Sequence, residues 1–358
     1  MRIDEHVDDG KQCVTDSSDS VDCSADCLQG GLKILEIEGH NPINSVAFLG
    51  DEKRIIGGGD EGVLRYWEVK DGREAGTAVC GDEVLTVAVS KEGRYIVTGA
   101  KNGLVVVWDT TTQKKVVEIK GHSYWVVAVD VSPDSRTVGT ASYKGMASIW
   151  DITTGQLLVG PLQPSTTPLV ALKFSANGSR IAISPYAQSS VRIHDTQNGH
   201  LLVDIPVRLS SSGNEPTVPL AWPSDDRQLF VISHDGNIQC FDASSGSLLS
   251  QWPIHSRCNP ASIVLSNSGK FIAASADSSI SFWDTSTHSQ LGHIVAHTGS
   301  VQSIALSSDD RYLVSGGRAD KKVIVWNLRD VLPESYCHGL ASESTVRNTT
   351  NLSISSAI

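Results

Sequence analysis

The segment 121–151, GHSYWVVAVDVSPDSRTVGTASYKGMASIWD, contains one complete copy of the pattern that decides the fold. Its apolar residues alternate in three short runs, over about 126–131, 137–142 and 146–151, as in half-buried strands. Ser132-Pro133-Asp134 supplies the first turn, since proline presets φ and aspartate hydrogen-bonds its own backbone. After Asp151 the chain turns again at Gly155 and enters a fourth apolar run. The segment therefore predicts a unit of four short antiparallel strands.

The end of this unit, an apolar run closed by Trp-Asp or a close variant, recurs along the chain. The seven endings are Trp67-Glu68, Trp108-Asp109, Trp150-Asp151, His194-Asp195, Phe241-Asp242, Trp283-Asp284 and Trp326-Asn327. Successive endings lie 41, 42, 44, 47, 42 and 43 residues apart, a period typical of repeat architecture. We therefore predict an all-β fold, a seven-bladed β-propeller of four-stranded antiparallel blades.

The first and last repeats are both incomplete, in complementary ways. Residues 32–38 precede Gly39-His40 as the fourth strand of blade two precedes Gly121-His122, whereas the last unit stops after its third strand, at about Leu328. We predict that residues 32–38 supply the missing outer strand of blade seven. The ring is then closed by an N-terminal strand, which leaves no mismatched strand edge.

Composition divides the 358 residues into three regions. Residues 1–30 hold eight Asp and Glu against Arg2 and Lys11, and are rich in serine, so they are predicted to form a disordered acidic tail. Residues 31–330 are predicted to form the propeller. Residues 331–358 are rich in Ser, Thr and Asn and are predicted to form a flexible C-terminal tail.

Charge and cysteine content limit the classes of partner. The net charge of −11 argues against nucleic acid as the main partner, because binding it requires Lys and Arg to neutralise phosphates. The chain has no apolar stretch of about 18 residues, so we expect no membrane partner. It also begins without an apolar signal segment and has seven cysteines, an odd number, which are expected to be reduced thiols. We therefore expect the protein in the cytoplasm, the nucleus or both.

The Gly-His and Trp-Asp signatures resemble those of the WD40 repeat family over about residues 32–329. The resemblance implies that a well-formed blade contains a buried tetrad of His, Ser or Thr, Asp and Trp, a network that fixes strands and loops when every member is paired. Two blades have the His, Asp and Trp of this set. The tetrads expected from the resemblance are His255, Ser275, Asp277 and Trp283 in blade six, and His297, Ser315, Asp320 and Trp326 in blade seven.

The other blades depart from this tetrad. Lys144 occupies the aspartate position of blade three, while His194 and Phe241 occupy the tryptophan positions of blades four and five. Blades four and five are therefore expected to depend on apolar packing.

The resemblance also implies where partners dock. In the family, residues just before the tetrad aspartate and shortly after Gly-His lie on the narrower, top face of the ring. The corresponding residues here are Asp60, Lys101, Tyr124, Tyr143, Lys144, His234 and Arg257. Tyr124, Trp125 and Tyr143 belong to one blade, and tyrosine is a residue type that dominates interface hot spots. We predict a partner site there; the alternative is that Trp125 and one tyrosine fill gaps between blades.

No catalytic, cofactor-binding or metal-ligating residues are predicted, since nucleophile-elbow, phosphate-loop, dinucleotide and metal-spacing patterns are not found. We predict a non-enzymatic scaffold or adaptor that presents a rigid propeller face to protein or peptide partners, as a subunit of a multiprotein complex. Two alternatives stay open. Trp326-Asn327-Leu328-Arg329 is similar to the Trp-Asp-x-Arg box of substrate receptors for cullin-type ubiquitin ligases. The other alternative is a propeller enzyme with its active site at the central channel.

Overall fold

A computed structural model describes residues 33–39, 41–162, 167–185, 190–209, 219–254 and 261–336. In these ranges the chain forms seven antiparallel sheets of four strands each, and each sheet is one blade. The predicted seven-bladed propeller is therefore confirmed. Within a blade the strands follow sequence order from the central channel outward, except in blade seven.

The strands are short, with five to seven residues each except for the two-residue β18 of blade five. The first, β1, spans Lys33–Glu38. Blade one has β2 (Ile43–Phe48), β3 (Arg54–Gly59), β4 (Val63–Glu68) and β5 (Glu74–Val79). Blade two has β6 (Val84–Val89), β7 (Tyr95–Ala100), β8 (Val105–Asp109) and β9 (Lys115–Ile119). Blade three has β10 (Val126–Val131), β11 (Thr137–Ser142), β12 (Ala147–Asp151) and β13 (Leu157–Leu162).

The remaining blades repeat this arrangement. Blade four has β14 (Leu169–Phe174), β15 (Arg180–Pro185), β16 (Val191–Asp195) and β17 (Leu201–Ile205). Blade five has β18 (Leu220–Ala221), β19 (Gln228–Ile232), β20 (Asn237–Asp242) and β21 (Leu248–Pro253). Blade six has β22 (Ala261–Leu265), β23 (Phe271–Ala276), β24 (Ser279–Asp284) and β25 (Gln290–Ala296). Blade seven has β26 (Val301–Leu306), β27 (Tyr312–Gly317) and β28 (Lys322–Asn327).

The fourth strand of blade seven is β1, as predicted for closure of the ring. It pairs antiparallel with β28, with Ile37 opposite Val323 and Glu38 opposite Lys322. Ile37 is buried in an apolar layer with Val323 and Val325, and Glu36 forms an ion pair with Lys322. The first and last strands of the propeller are thus held together by a hydrogen-bonded ladder and an apolar core.

Neighbouring blades are joined by apolar layers and by hydrogen bonds from the inner strands. The layer between blades seven and one includes Val46, Trp67, Val314 and Val325. Within the inner ring, the Ser45 hydroxyl accepts the Val87 N–H of the next blade at 3.0 Å. Side-chain oxygens in β2, β10 and β26 make this kind of contact, which fixes the rotation of one blade against the next.

The turns between the first and second strands of the blades share one backbone feature. Each turn has a residue with positive φ, and these seven residues are Glu52, Gly93, Ser135, Gly178, Asp226, Gly269 and Asp310. Two of them bond to the preceding blade: Asp226 accepts the Asn177 N–H at 2.8 Å, and Asp310 accepts the Asn267 N–H at 2.8 Å. The same turn therefore shapes each blade and, at these two positions, ties it to its neighbour.

Packed structure continues beyond the predicted propeller boundary at residue 330. Short 3-10 helices span Leu328–Asp330 and Glu334–Tyr336, and Val331 between them is buried against blades six and seven. The Tyr336 hydroxyl donates a hydrogen bond to Asp284 at 2.5 Å. Residues 331–336 therefore differ from the flexible tail expected to start at 331, because their apolar side chains cover the outer part of the ring.

The predicted tail over residues 1–30 and residues 337–358 of the other predicted tail lie outside the described residues. Within the described ranges, no helix has the length and apolar character needed to span a membrane.

Candidate functional site

Blade seven contains the complete polar network expected from the sequence. His297 lies 2.9 Å from Asp320 through Nδ1 and 2.7 Å from the Ser315 hydroxyl through Nε2. The Trp326 indole N–H donates to the same hydroxyl at 2.8 Å. Burial raises the pKa of Asp320, but the hydrogen bond and charge of His297, together with the backbone N–H groups of Lys322 and Gly299, bring the pKa below its usual value. These four residues form a structural network, in which every polar member is paired.

Blade six departs from the predicted tetrad. The Trp283 indole N–H donates to Ser281 at 2.8 Å, whereas the Ser275 hydroxyl accepts the N–H of Ser262. The prediction for Ser275 is therefore corrected. Asp277 lies in the tight turn between β23 and β24 with φ of 57°, and the fourth predicted member, His255, lies outside the described residues.

Strand register explains this difference. In blade seven Trp326 pairs with Leu313, and Ser315 lies two residues further along β27. In blade six Trp283 pairs with Ile272, so the equivalent position is Ala274. Because successive side chains on a strand point to opposite faces, Ser275 faces away from the indole. Ser281, which lies directly opposite Ala274 and two residues before Trp283 on the tryptophan's own strand, supplies the hydroxyl instead.

Blade three has most of the network but lacks its carboxylate. His122 Nε2 lies 2.7 Å from the Thr140 hydroxyl, to which the Trp150 indole donates at 2.8 Å. Among the described residues no partner exists for the buried Nδ1 of His122, since Lys144 occupies the acidic position. Burial lowers the pKa of His122 to about 4. The missing carboxylate therefore leaves a neutral, half-paired histidine beneath the top face.

Replacing Lys144 by aspartate is expected to stabilise the protein. A carboxylate there would accept the Nδ1–H of His122, as Asp320 does in blade seven, and contribute about 1–2 kcal/mol. The contribution of His122 to the free energy of unfolding should then fall less in acid. In the parent chain this contribution is complete above about pH 6.5 and is lost as the pH falls toward 4. Thermal unfolding at pH 7.5 and pH 5 measures both effects. Lys120→Asp is the matched control, and an equal change in both variants would contradict the explanation.

Blade two shows another hydroxyl that the sequence reasoning did not identify. Trp108 donates to Thr98 at 3.1 Å, at the position equivalent to Thr140 in blade three. The histidine position holds Cys80, whose burial raises the thiol pKa to about 11. A threonine ten residues before the repeat tryptophan is the signal in the sequence that could have found both hydroxyls.

The aspartate that closes most repeats shapes a turn. Asp151 accepts the N–H groups of Thr153 at 3.0 Å and Thr154 at 2.8 Å. The N–H and hydroxyl of Thr154, together with those of Thr153, lower the pKa of Asp151 to about 2. Asp109, Asp242 and Asp284 make equivalent bonds two and three residues ahead. The recurring carboxylate therefore keeps the connection to the outer strand in place.

Three aromatic side chains of blade three meet on the top face, where the turns between the second and third strands of the blades lie. Tyr124 and Trp125 stack with ring centroids 5.4 Å apart and planes within 5°. Tyr143 lies 5.5 Å from Trp125 and 6.1 Å from Tyr124. Tyr124 is exposed, and the other two are half-buried. We refer to Tyr124, Trp125 and Tyr143 as the aromatic cluster.

Two lysine side chains lie over the aromatic cluster. The Lys101 ammonium group is 5.0 Å from the Trp125 centroid, and that of Lys144 is 5.3 Å from the Tyr124 centroid. Lys101 also pairs with Glu83 at 2.6 Å, and this hydrogen bond, followed by the charges of Glu83, Asp60 and Asp82, raises the lysine pKa. Cation–π contacts of this kind hold both lysines against the rings.

The structure thus brings together four of the seven residues predicted for the top-face site: Lys101, Tyr124, Tyr143 and Lys144. Asp60 accepts a hydrogen bond from Asn44 at 3.1 Å and lies 3.4 Å from Arg318 of blade seven. His234 is exposed in the equivalent turn of blade five. Arg257 lies outside the described residues.

The central channel encloses a cavity of about 460 Å³ lined by the first strands of the blades. Its charged lining includes Asp130 and Lys173, which form an ion pair at 2.8 Å. In the described part of the chain, no three His, Cys, Asp or Glu side chains are grouped as metal ligands. Arg329, on which the ligase-receptor alternative depends, is exposed in the first 3-10 helix after β28.

Comparison with protein-family models identifies five of the seven repeats. The model for the WD domain, G-beta repeat, matches residues 31–68, 77–109, 113–151, 246–284 and 288–327. The two blades without a match, four and five, are those in which the repeat tryptophan is replaced.

Curated relatives match only part of the chain. Cilia- and flagella-associated protein 52 of Macaca fascicularis is 26% identical over 157 residues, which are 42% of this chain and 26% of the relative. The WD repeat-containing protein 26 homolog of Arabidopsis thaliana is 27% identical over 156 residues, 43% of this chain and 26% of the relative. The Set1 complex component swd1 of Schizosaccharomyces pombe is 40% identical over 70 residues, 19% of this chain and 17% of the relative. The chain thus spans about a quarter of the length of the first two relatives.

Proposed function

This chain belongs to the WD40 repeat family, and we propose that it is a non-enzymatic scaffold whose aromatic cluster docks a protein or peptide partner. Propellers of this family generally act as protein-interaction scaffolds. Function in such a fold lies in the loops and faces that a rigid framework holds in place. The proposal assigns that role to the top face of blade three.

One observation carries the proposal: three aromatic rings and two lysines converge on one part of the top face. Aromatic anchors on a preorganised surface are typical of interface hot spots. The Tyr143 N–H donates to the Trp125 carbonyl at 2.9 Å, so the two turns that bear the cluster are hydrogen-bonded to each other. Since little freedom is lost when a partner binds such a surface, the ordering cost of docking is small.

We further propose that this scaffold acts within a multiprotein complex in the cytoplasm or nucleus. The relative swd1 is described as a component of a complex, which favours a similar mode of action. The two cysteines in the described part of the chain, Cys80 and Cys240, are free and buried thiols, which suits a reducing compartment.

Replacing Tyr124 and Tyr143 together by alanine is expected to reduce partner recovery at least about tenfold, since two hot-spot side chains are lost. Affinity capture followed by mass spectrometry compares the parent and the variant. The matched control replaces Leu157 and Leu158 together by alanine; these side chains are 50% and 52% exposed on the outer strand of the same blade. Thermal unfolding verifies that both variants fold. Unchanged recovery from the folded double-tyrosine variant would overturn the proposal.

A further inference from the structure

The aromatic cluster carries one cation whose charge is not balanced by a nearby carboxylate. Lys101 is paired with Glu83, but no carboxylate of the described ranges lies within ion-pair distance of Lys144. Lys144 is exposed, and its ammonium group is held over the Tyr124 ring. Lys144, which occupies in blade three the position of Asp320 in blade seven, therefore presents a positive charge beside an exposed aromatic surface.

Three aromatic rings close together suggest a cage for a cationic ligand, and the arrangement of these rings and lysines excludes such a ligand. An aromatic cage binds a ligand cation through open ring faces. Here Tyr124 and Trp125 cover one another, and the ammonium groups of Lys144 and Lys101 already lie over these rings. A cationic ligand would be repelled by both lysines, so the charge favours an anionic group.

The surroundings favour a single carboxylate over a polyanion. Glu83, Asp60 and Asp82 lie close enough to Lys101 to raise its pKa, so the blade-two side of the site is acidic. An extended series of phosphates would meet these carboxylates, and the net charge of the chain is −11. A single carboxylate beside Lys144 is attracted by the ammonium group and does not approach the acidic residues on the blade-two side.

We propose that Lys144 and Tyr124 form a subsite for the carboxylate of an Asp or Glu side chain in the docked partner, an inference that rests on the proposed function of the aromatic cluster. The ammonium group donates hydrogen bonds to the carboxylate, and the ring excludes water from one side of that contact. Trp125 and Tyr143 then contact the apolar or aromatic side chains next to that acid.

Two arrays of immobilised random octapeptides test this subsite with the full chain. The arrays share their sequences, except that every Asp and Glu of the first is Asn or Gln in the second. The parent is expected to bind the acidic array about three- to tenfold more strongly, as one charge-assisted contact at a partly exposed surface allows. The preference should shrink at high salt, because exposed charges are screened.

Variants assign the preference to Lys144. Lys144→Gln is expected to abolish the preference for the acidic array, and Lys144→Arg is expected to keep this preference. Lys321→Gln removes the same charge from the equivalent, exposed turn of blade seven and is expected to leave it unchanged. Lys144→Asp should abolish the preference while raising thermal stability, so unfolding cannot account for the loss. Equal effects of Lys144→Gln and Lys321→Gln would overturn the proposal.

Other outcomes separate the subsite from the proposed function. Equal binding to both arrays that is lost in the double-tyrosine variant would overturn the carboxylate subsite and leave the docking surface standing. No binding to either array, with unchanged partner capture by that variant, would overturn both. Stronger competition by a single-stranded oligonucleotide than by acidic octapeptides would also overturn the subsite, in favour of a nucleic-acid ligand.

Discussion

Deletion of residues 33–38 is expected to abolish the cooperative thermal unfolding of the propeller. The deletion removes β1, so β28 keeps its pairing with β27 but loses its outer antiparallel partner, and the apolar layer loses Ile37 and Leu35. The buried side chain of Ile37, the half-buried side chain of Leu35 and a ladder of hydrogen bonds together contribute about 5–10 kcal/mol. This is comparable with the whole stability of a typical domain. Circular dichroism during heating measures the effect.

The control for this deletion is removal of residues 1–30, which is expected to leave the unfolding midpoint almost unchanged. A synthetic peptide of residues 31–39, added to the shortened chain, should restore part of the transition, because closure of the ring depends on pairing and not on chain continuity. A chain without residues 33–38 that unfolds at the parental temperature would show that β1 does not close the ring.

The second large effect is expected from Ser315→Ala in blade seven. The substitution removes the hydroxyl shared by His297 and Trp326 and leaves two buried nitrogen atoms without their partner. Each unsatisfied buried group costs about 1–3 kcal/mol, so the free energy of unfolding should fall by about 2–6 kcal/mol. Urea unfolding measures the change through the midpoint and slope.

Blade six provides the matched control for this substitution. Ser281→Ala removes a hydroxyl whose one donor among the described residues is Trp283, a half-buried side chain, so a loss of about 1 kcal/mol is expected. Ser315→Thr should keep most of the stability, since Thr98 and Thr140 fill this role in blades two and three. Equal losses for Ser315→Ala and Ser281→Ala would show that the shared hydroxyl has no special contribution.

The sequence predicted the ring and its closure because both follow from local patterns. Alternating apolar residues specify strands, and the constant spacing of the Trp-Asp endings specifies equivalent blades. The error at Ser275 arose where a pattern depends on register: the turn between Ala276 and Ser279 has only two residues, and counting from Trp283 does not reveal this. Residues 331–336 were also missed, because their packing depends on contacts with blades six and seven.

The candidate site could be located from the sequence but not assembled from it. Turn positions in the repeat indicated that Lys101, Tyr124, Tyr143 and Lys144 share a face. The direction of each long side chain depends on neighbours in other turns and, for Lys101, in another blade, so the stacking and the two lysine contacts became visible only in three dimensions. The same holds for Asp60 and Arg318, which meet across the closure of the ring.

The closing strand pair also determines how the propeller responds to mechanical force. In the β1–β28 pair, Lys33 lies opposite Trp326, so the segments before β1 and after β28 leave from the same end of the ladder. Once residues 328–336 are peeled from the ring, tension between the two chain ends would break the ladder one hydrogen bond at a time. The β1–β28 pair, which is important for thermal stability, would therefore open at low force when the two chain ends are pulled apart. A force applied between the top and bottom faces of the ring would not act on this pair alone.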